Sequence, residues 1–204
     1  MRSRRFLHPT WLVGLVAALT VWAQAQPQQP AKPSIYTPYQ HRAWYLYLSA
    51  QYTEWPADAF PDDTSPFVLG ILGENPFRKE DIDVIRNKPL KNRKLVVQQL
   101  RNVSEIQQCQ VLYVCDSEKG RLAQIFEALA SASILTFGEM EGFIQPGAQG
   151  GIVKFWIEEK TPTEGYLLFE INQAAAEKAR LRISSRVLKL AKPEKKPNPE
   201  KEKP

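Results

Sequence analysis

The most reactive side chains in this sequence are Cys109 and Cys115, which flank the apolar run Val111-Leu-Tyr-Val114. A strand at ~3.3 Å per residue holds them about 20 Å apart, whereas a disulfide needs Cα atoms within ~7 Å. No bond between them within one chain is expected. Cys115 reads as a small buried hydrophobe. Cys109, at the strand mouth, is expected to be exposed, where it could crosslink two protomers in an oxidising compartment. These two are the redox candidates. Histidine chemistry is sparse, because His8 lies in the N-terminal stretch that reads as a signal peptide and leaves His41 alone in the rest. No Ser-His-Asp, Cys-His or paired-carboxylate motif is present, and no metal-ligand spacing. The expectation is a protein that is not an enzyme and needs no cofactor and no metal.

Other segments have the chemistry to bind rather than react. In Glu54-Trp55-Pro56, Trp55 is either an interface anchor or a ring packed inward where a helix stops; the inward reading is taken. Gly73-Glu-Asn-Pro-Phe77 stands where a strand hands over to a helix, a place where α/β folds bind anions. It has one glycine, Pro76 lacks an N–H and Glu74 repels phosphate, so it reads as a structural turn. Gly147-Ala-Gln-Gly150-Gly151 is either a backbone cradle for a ligand, through Gly150 and Gly151, or a flexible lead into a hairpin. Ser184 and Ser185 can cap a helix, with Arg182 and Arg186 beside them for an acidic partner or anionic ligand. The alternative there is a solvated helix end.

These residues need elements to position them. Residues 39–54 contain no Gly or Pro, and Ala43, Leu46, Tyr47 and Ala50 follow helical spacing, so a helix should run to Trp55-Pro56. Strands are predicted at 67–72, 94–98, 111–114 and 134–137, with helices over 77–87 and 118–130 and a short one from Asn102. Ser117 is the expected cap of the 118–130 helix. Such alternation gives a parallel sheet with helices on both faces. After Gly138 the pattern changes to two strands, 152–158 and 166–171, joined as a hairpin. Asn172 should cap a helix over 173–181, and a last helix ends near Leu190. The predicted class is α/β, one domain with a mostly parallel central sheet flanked by helices and an antiparallel C-terminal hairpin at its edge.

The ends have a different character. Met-Arg-Ser-Arg-Arg, an apolar run from Trp11 to Trp22 and Ala23-Gln24-Ala25 form a secretory signal pattern, with cleavage expected after Ala25. The run is well short of the ~20 residues that span a bilayer. Residues 26–38 read as a flexible Pro/Gln-rich leader and 192–204 as a disordered Lys/Glu/Pro tail. Over the whole chain, 27 Lys+Arg against 22 Asp+Glu give a net charge of +5. Without Arg2, Arg4 and Arg5 the balance is +2, and without the five lysines and three glutamates of the tail it is zero, nineteen of each sign. A neutral core argues against nucleic-acid binding. The 43% hydrophobic and 24% charged composition excludes wholesale disorder, collagen and coiled coil.

Several pieces then stand in a telling order: Glu54-Trp-Pro, Phe67-Val-Leu-Gly-Ile-Leu-Gly-Glu-Asn-Pro-Phe77, Cys109-Gln-Val-Leu-Tyr-Val, Ile134-Leu-Thr-Phe, Gly142-Phe143, Gly150-Gly-Ile-Val-Lys-Phe155, Phe169-Glu-Ile-Asn172 and Ala179-Arg-Leu-Arg-Ile-Ser-Ser-Arg-Val-Leu-Lys-Leu190. Their order and spacing resemble the YfiR family of periplasmic proteins over about residues 40–190, so residues 39–191 are taken as a YfiR-like domain. The resemblance implies a repressor that binds the periplasmic sensor domain of an inner-membrane diguanylate cyclase, lowering cyclic di-GMP and biofilm formation. It also associates the family with redox control through disulfides, for which this chain has only two cysteines. A homodimer is open. The rival reading is a cell-envelope protein that binds a small ligand in the cleft at the C-terminal ends of the parallel strands.

Overall fold

The computed structural model describes residues 36–161 and 164–192. The expected signal peptide, most of the expected leader and the expected tail beyond Lys192 lie outside the described residues. Helix α1 (Pro38–Gln51) opens on a capping box: Gln40 N–H donates to Thr37 Oγ1 and Thr37 N–H donates to the Gln40 side chain. Tyr36 already packs edge-on against Trp44, with ring centres 6.2 Å apart. Ordered packing therefore begins two residues before α1, inside the segment expected to be leader. The helix also stops three residues earlier than expected. Tyr52 is its C-cap and Thr53–Glu54 become strand β1.

The strands follow as predicted. They are β2 (Phe67–Leu72), β3 (Leu95–Leu100), β4 (Val111–Val114), β5 (Leu135–Gly138), β6 (Val153–Thr161) and β7 (Glu164–Ile171). The six-stranded sheet has the order β3-β2-β4-β5-β6-β7; every pair is parallel except the β6–β7 hairpin. Helices α2 (Lys79–Arg86), α3 (Leu122–Leu129), α4 (Gln173–Lys178) and α5 (Ser185–Leu188) complete the set, with strand β8 (Arg182–Ile183) pairing antiparallel to β1. Neighbouring strands on both sides of β2 and β4 leave no edge there, so these strands are apolar along almost their whole length.

Alternate side chains of the sheet build two cores. Phe67, Leu69, Ile71, Tyr113, Cys115 and Phe155 meet α1 and α2 on one face. Leu112, Val114, Cys109 and Ile134 meet α3 and the helical turn Val103–Gln108 on the other. Crossovers run on the first face for β2–β3 and on the second for β3–β4 and β4–β5, the doubly wound pattern. Between β5 and β6 the chain crosses without a helix, through the segment from Glu139 to Ile152. Phe143 plugs that face and is fully buried.

Ser117 is not the cap of α3. A tight helical turn, Asp116–Arg121, precedes that helix, and Ser117 Oγ instead accepts the Glu74 N–H at 2.9 Å. Gly73 above it has φ +98°, and a Cβ there would lie 2.5 Å from the Ser117 hydroxyl. With Phe77 N–H donating to Asn75 Oδ1 at 2.9 Å, Gly73–Phe77 is a packed turn.

Candidate interaction surface

Chain order scatters the candidate residues, but strand pairing gathers most of them. Thr53 lies opposite Ile183 and Glu54 opposite Arg182, and Ser184 N–H donates to Tyr52 O at 2.9 Å. Thr53 is fully buried, its hydroxyl donating to Ser49 O at 2.8 Å, and this pins the ribbon to the end of α1. Trp55, Arg182, Ser184, Ser185 and Arg186 therefore belong to one ribbon and the helix that follows it.

Trp55 is half-buried, its ring perpendicular to Phe67 with centres 4.9 Å apart, as the inward reading requires. Its indole N–H is buried and has no hydrogen-bond partner among the described residues. Arg182 and Glu54 are exposed and sit 3.7 Å apart, a contact worth at most about 1 kcal/mol in water. Ser184 caps α5, accepting the Arg186 N–H at 3.3 Å. Ser185 and Arg186 are exposed. The Arg186 guanidinium has no ion-pair or hydrogen-bond partner among the described residues. Beside the ribbon α1 exposes Leu48 and Tyr52 one turn apart. Sequence reasoning missed these two. They would have been visible as the apolar pair on the side of α1 that its buried residues leave free.

Gly150 and Gly151 are elsewhere, in the loop before β6. Gly150 has φ +76°, and a Cβ there would lie 2.7 Å from Phe143 O. Gly151 N–H donates to that same carbonyl at 2.7 Å. Asn172 caps α4 by accepting the Ala175 N–H at 3.0 Å, and its amide donates to Gln145 O at 2.9 Å and Gln149 O at 3.0 Å. The glycine loop is a fixed piece of architecture, not a flexible lead.

Both cysteines are free thiols. Cys115 is buried as expected. The expectation that Cys109 is exposed is corrected: it is 3% exposed, its sulfur filling the space over Gly70. Burial is the main cause that pushes the Cys109 thiol up to about 11 and the Cys115 thiol up to about 12, with Glu118 and Asp116 adding to the latter. Neither is a reactive thiolate near neutrality, and a crosslink through Cys109 would require the strand ends to open.

The C-terminal ends of β4 and β5 do not form an open cleft. Arg42 and Glu139 make a nearly buried bidentate pair, Nε–Oε1 2.5 Å and Nη2–Oε2 2.7 Å, and the Tyr113 hydroxyl donates to Glu139 Oε1 at 2.6 Å. Phe77 closes on the Tyr113 ring at 5.0 Å. Burial, with Glu139 beside it, drives the Tyr113 hydroxyl well above its ordinary value. A cavity of about 370 Å³ lies at the opposite end of the sheet, against the start of β5.

Among the described residues no helix is long and apolar enough to cross a membrane, and no cluster of His, Cys, Asp and Glu is placed to hold a metal ion. No individual curated protein matches the chain. The model of a family described as YfiR/HmsC-like matches residues 39–192. That span runs from the first turn of α1 to the residue whose N–H closes on Phe169 O. By this match the chain belongs to the YfiR/HmsC-like family.

Proposed function

We propose that this protein is a periplasmic regulator that holds a membrane-bound diguanylate cyclase inactive by binding its periplasmic sensor domain. Membership in a family of cyclic di-GMP regulators, regulatory rather than catalytic, supports this reading. The observation that carries it is the ribbon surface, where Tyr52, Leu48, Arg182 and Arg186 stand exposed on the β1–β8 ribbon and the two helices it joins, with the half-buried Trp55 following β1. Tyr, Trp and Arg are the residues that dominate protein interfaces, and an unpaired guanidinium is ready for a carboxylate on a partner. Binding of this surface to the inactive form of the sensor populates that form in proportion to its differential affinity. Export with removal of the first 25 residues puts the domain on the same side of the membrane as the sensor.

The test is genetic and then biochemical. Deleting the gene should raise cyclic di-GMP only in a host with its membrane cyclase intact. An Arg186→Ala variant that melts like the wild type should lose repression, since truncating a charge that becomes buried costs ~2–5 kcal/mol of binding. Unchanged cyclic di-GMP on deletion would overturn the proposal.

A further inference from the structure

Parallel crossovers usually carry a helix, and the step from β5 to β6 does not. Where that helix would lie, the cavity of about 370 Å³ opens between α3, α4 and the loop that includes Gln145 and Gly150. This volume is in the range of small-molecule sites. Ile134 and Ile152 form its floor and Phe126 and Leu129 one wall, with alanines over most of the rest. Thr136 also lines it, but its hydroxyl already accepts the Ile152 N–H at 2.9 Å. The walls are fixed in advance, because Asn172 holds the loop by two hydrogen bonds and Gly151 closes it on Phe143. Little ordering is left for a ligand to impose.

Besides Thr136, four polar residues line the cavity: Lys178, Gln145, Gln149 and Glu127. None of their own side chains has an ion-pair or hydrogen-bond partner among the described residues. Lys178 and the two carboxamides supply donors for a negative head. Glu127 and the C-terminal end of α3, on the facing wall, repel a doubly charged one. A phosphate is thereby disfavoured, while a single carboxylate is accommodated.

We propose that this cavity binds a small apolar monocarboxylate, its body between α3 and β5 and its carboxylate at Lys178, Gln145 and Gln149. The site is separate from the ribbon surface and does not rest on the repressor reading. Isothermal titration calorimetry and thermal melts of the mature protein with 3-phenylpropionate and octanoate, against 3-phenylpropylamine and inorganic phosphate, test it. A carboxylate should bind one per chain and raise the melting temperature, while the amine and phosphate should not. Lys178→Gln should weaken binding roughly tenfold, the scale of one charge-assisted hydrogen bond. Ala123→Trp, at an exposed position of α3 on the cavity wall, should abolish binding without changing the melt of the free protein. Should that variant misfold, Ala148→Phe blocks the cavity from the loop side. Failure of both carboxylates to bind, equal binding of the amine, or an unaltered affinity in Lys178→Gln would overturn the assignment.

Discussion

At Gly70 the strand β2 presents no side chain to the second face of the sheet, and the sulfur of Cys109 sits there; a Cβ added at Gly70 would come within 2.5 Å of it. The signal for burying Cys109 is thus a missing side chain at Gly70, on a strand distant in sequence, legible only once the strands are in register. Cys115 needed no such knowledge, because it directly follows the continuous apolar run that forms β4. Both thiols sit above their ordinary value near 9, at about 11 and about 12, so the unfolded chain loses these protons first as pH rises. Folded stability contributed by the neutral thiols is complete below pH 9 and falls as pH rises through 11 and 12, by up to about 1.4 kcal/mol per unit for each thiol. Urea midpoints should therefore be level from pH 7 to 8.5 and drop steadily from pH 9 to 11. A flat profile across that interval would contradict the burial argument.

Among the elements, those built from local pattern were readable and those built from distant pairing were not. Continuous apolar runs gave β2, β4 and β5, and the hairpin was marked by its two runs and the turn residues between them. The two-residue ribbon of β1 and β8 has no periodicity to read, so the helical pattern of residues 39–54 runs on through Thr53 and Glu54, whose backbone groups instead pair with Ile183 and Arg182. That same pairing assembled the candidate surface, which explains why its members looked unrelated in the sequence. Asn172 was readable as a helix cap, but its amide bonds to Gln145 and Gln149 were not, since both acceptors are backbone carbonyls in a loop. Its replacement by Ala removes the cap of α4 and two loop bonds at once. Asn172→Ala should cost roughly 2 kcal/mol, and Asn172→Asp, which keeps the capping oxygen and loses the donors, should cost about half as much. Chemical denaturation of the two variants checks the order.

On the scale of the whole molecule, the neutral, two-cored α/β domain follows from the alternation of strands and helices, and the family match covers nearly all of the described chain. The sheet also divides the two thiols, for Cys109 belongs to the core beneath α3 and Cys115 to the core beneath α1. In the finished protein they face opposite ways from the two ends of β4. Their danger lies earlier, before the sheet is assembled. Before β4 is inserted, nothing holds the thiols apart, and the six-residue spacing lets them close a short covalent ring that no extended strand can contain. In the oxidising compartment that the proposed function requires, folding of this domain is then a race between sheet assembly and sulfur chemistry. Refolding from denaturant in oxidised glutathione should give a reduced native yield that dithiothreitol restores, while the native protein kept in the same buffer for hours should show no mass change. A molecule inert to redox conditions once made would in this way be sensitive to them only as a nascent chain, so that oxidants would govern how much of it accumulates and not how each copy behaves.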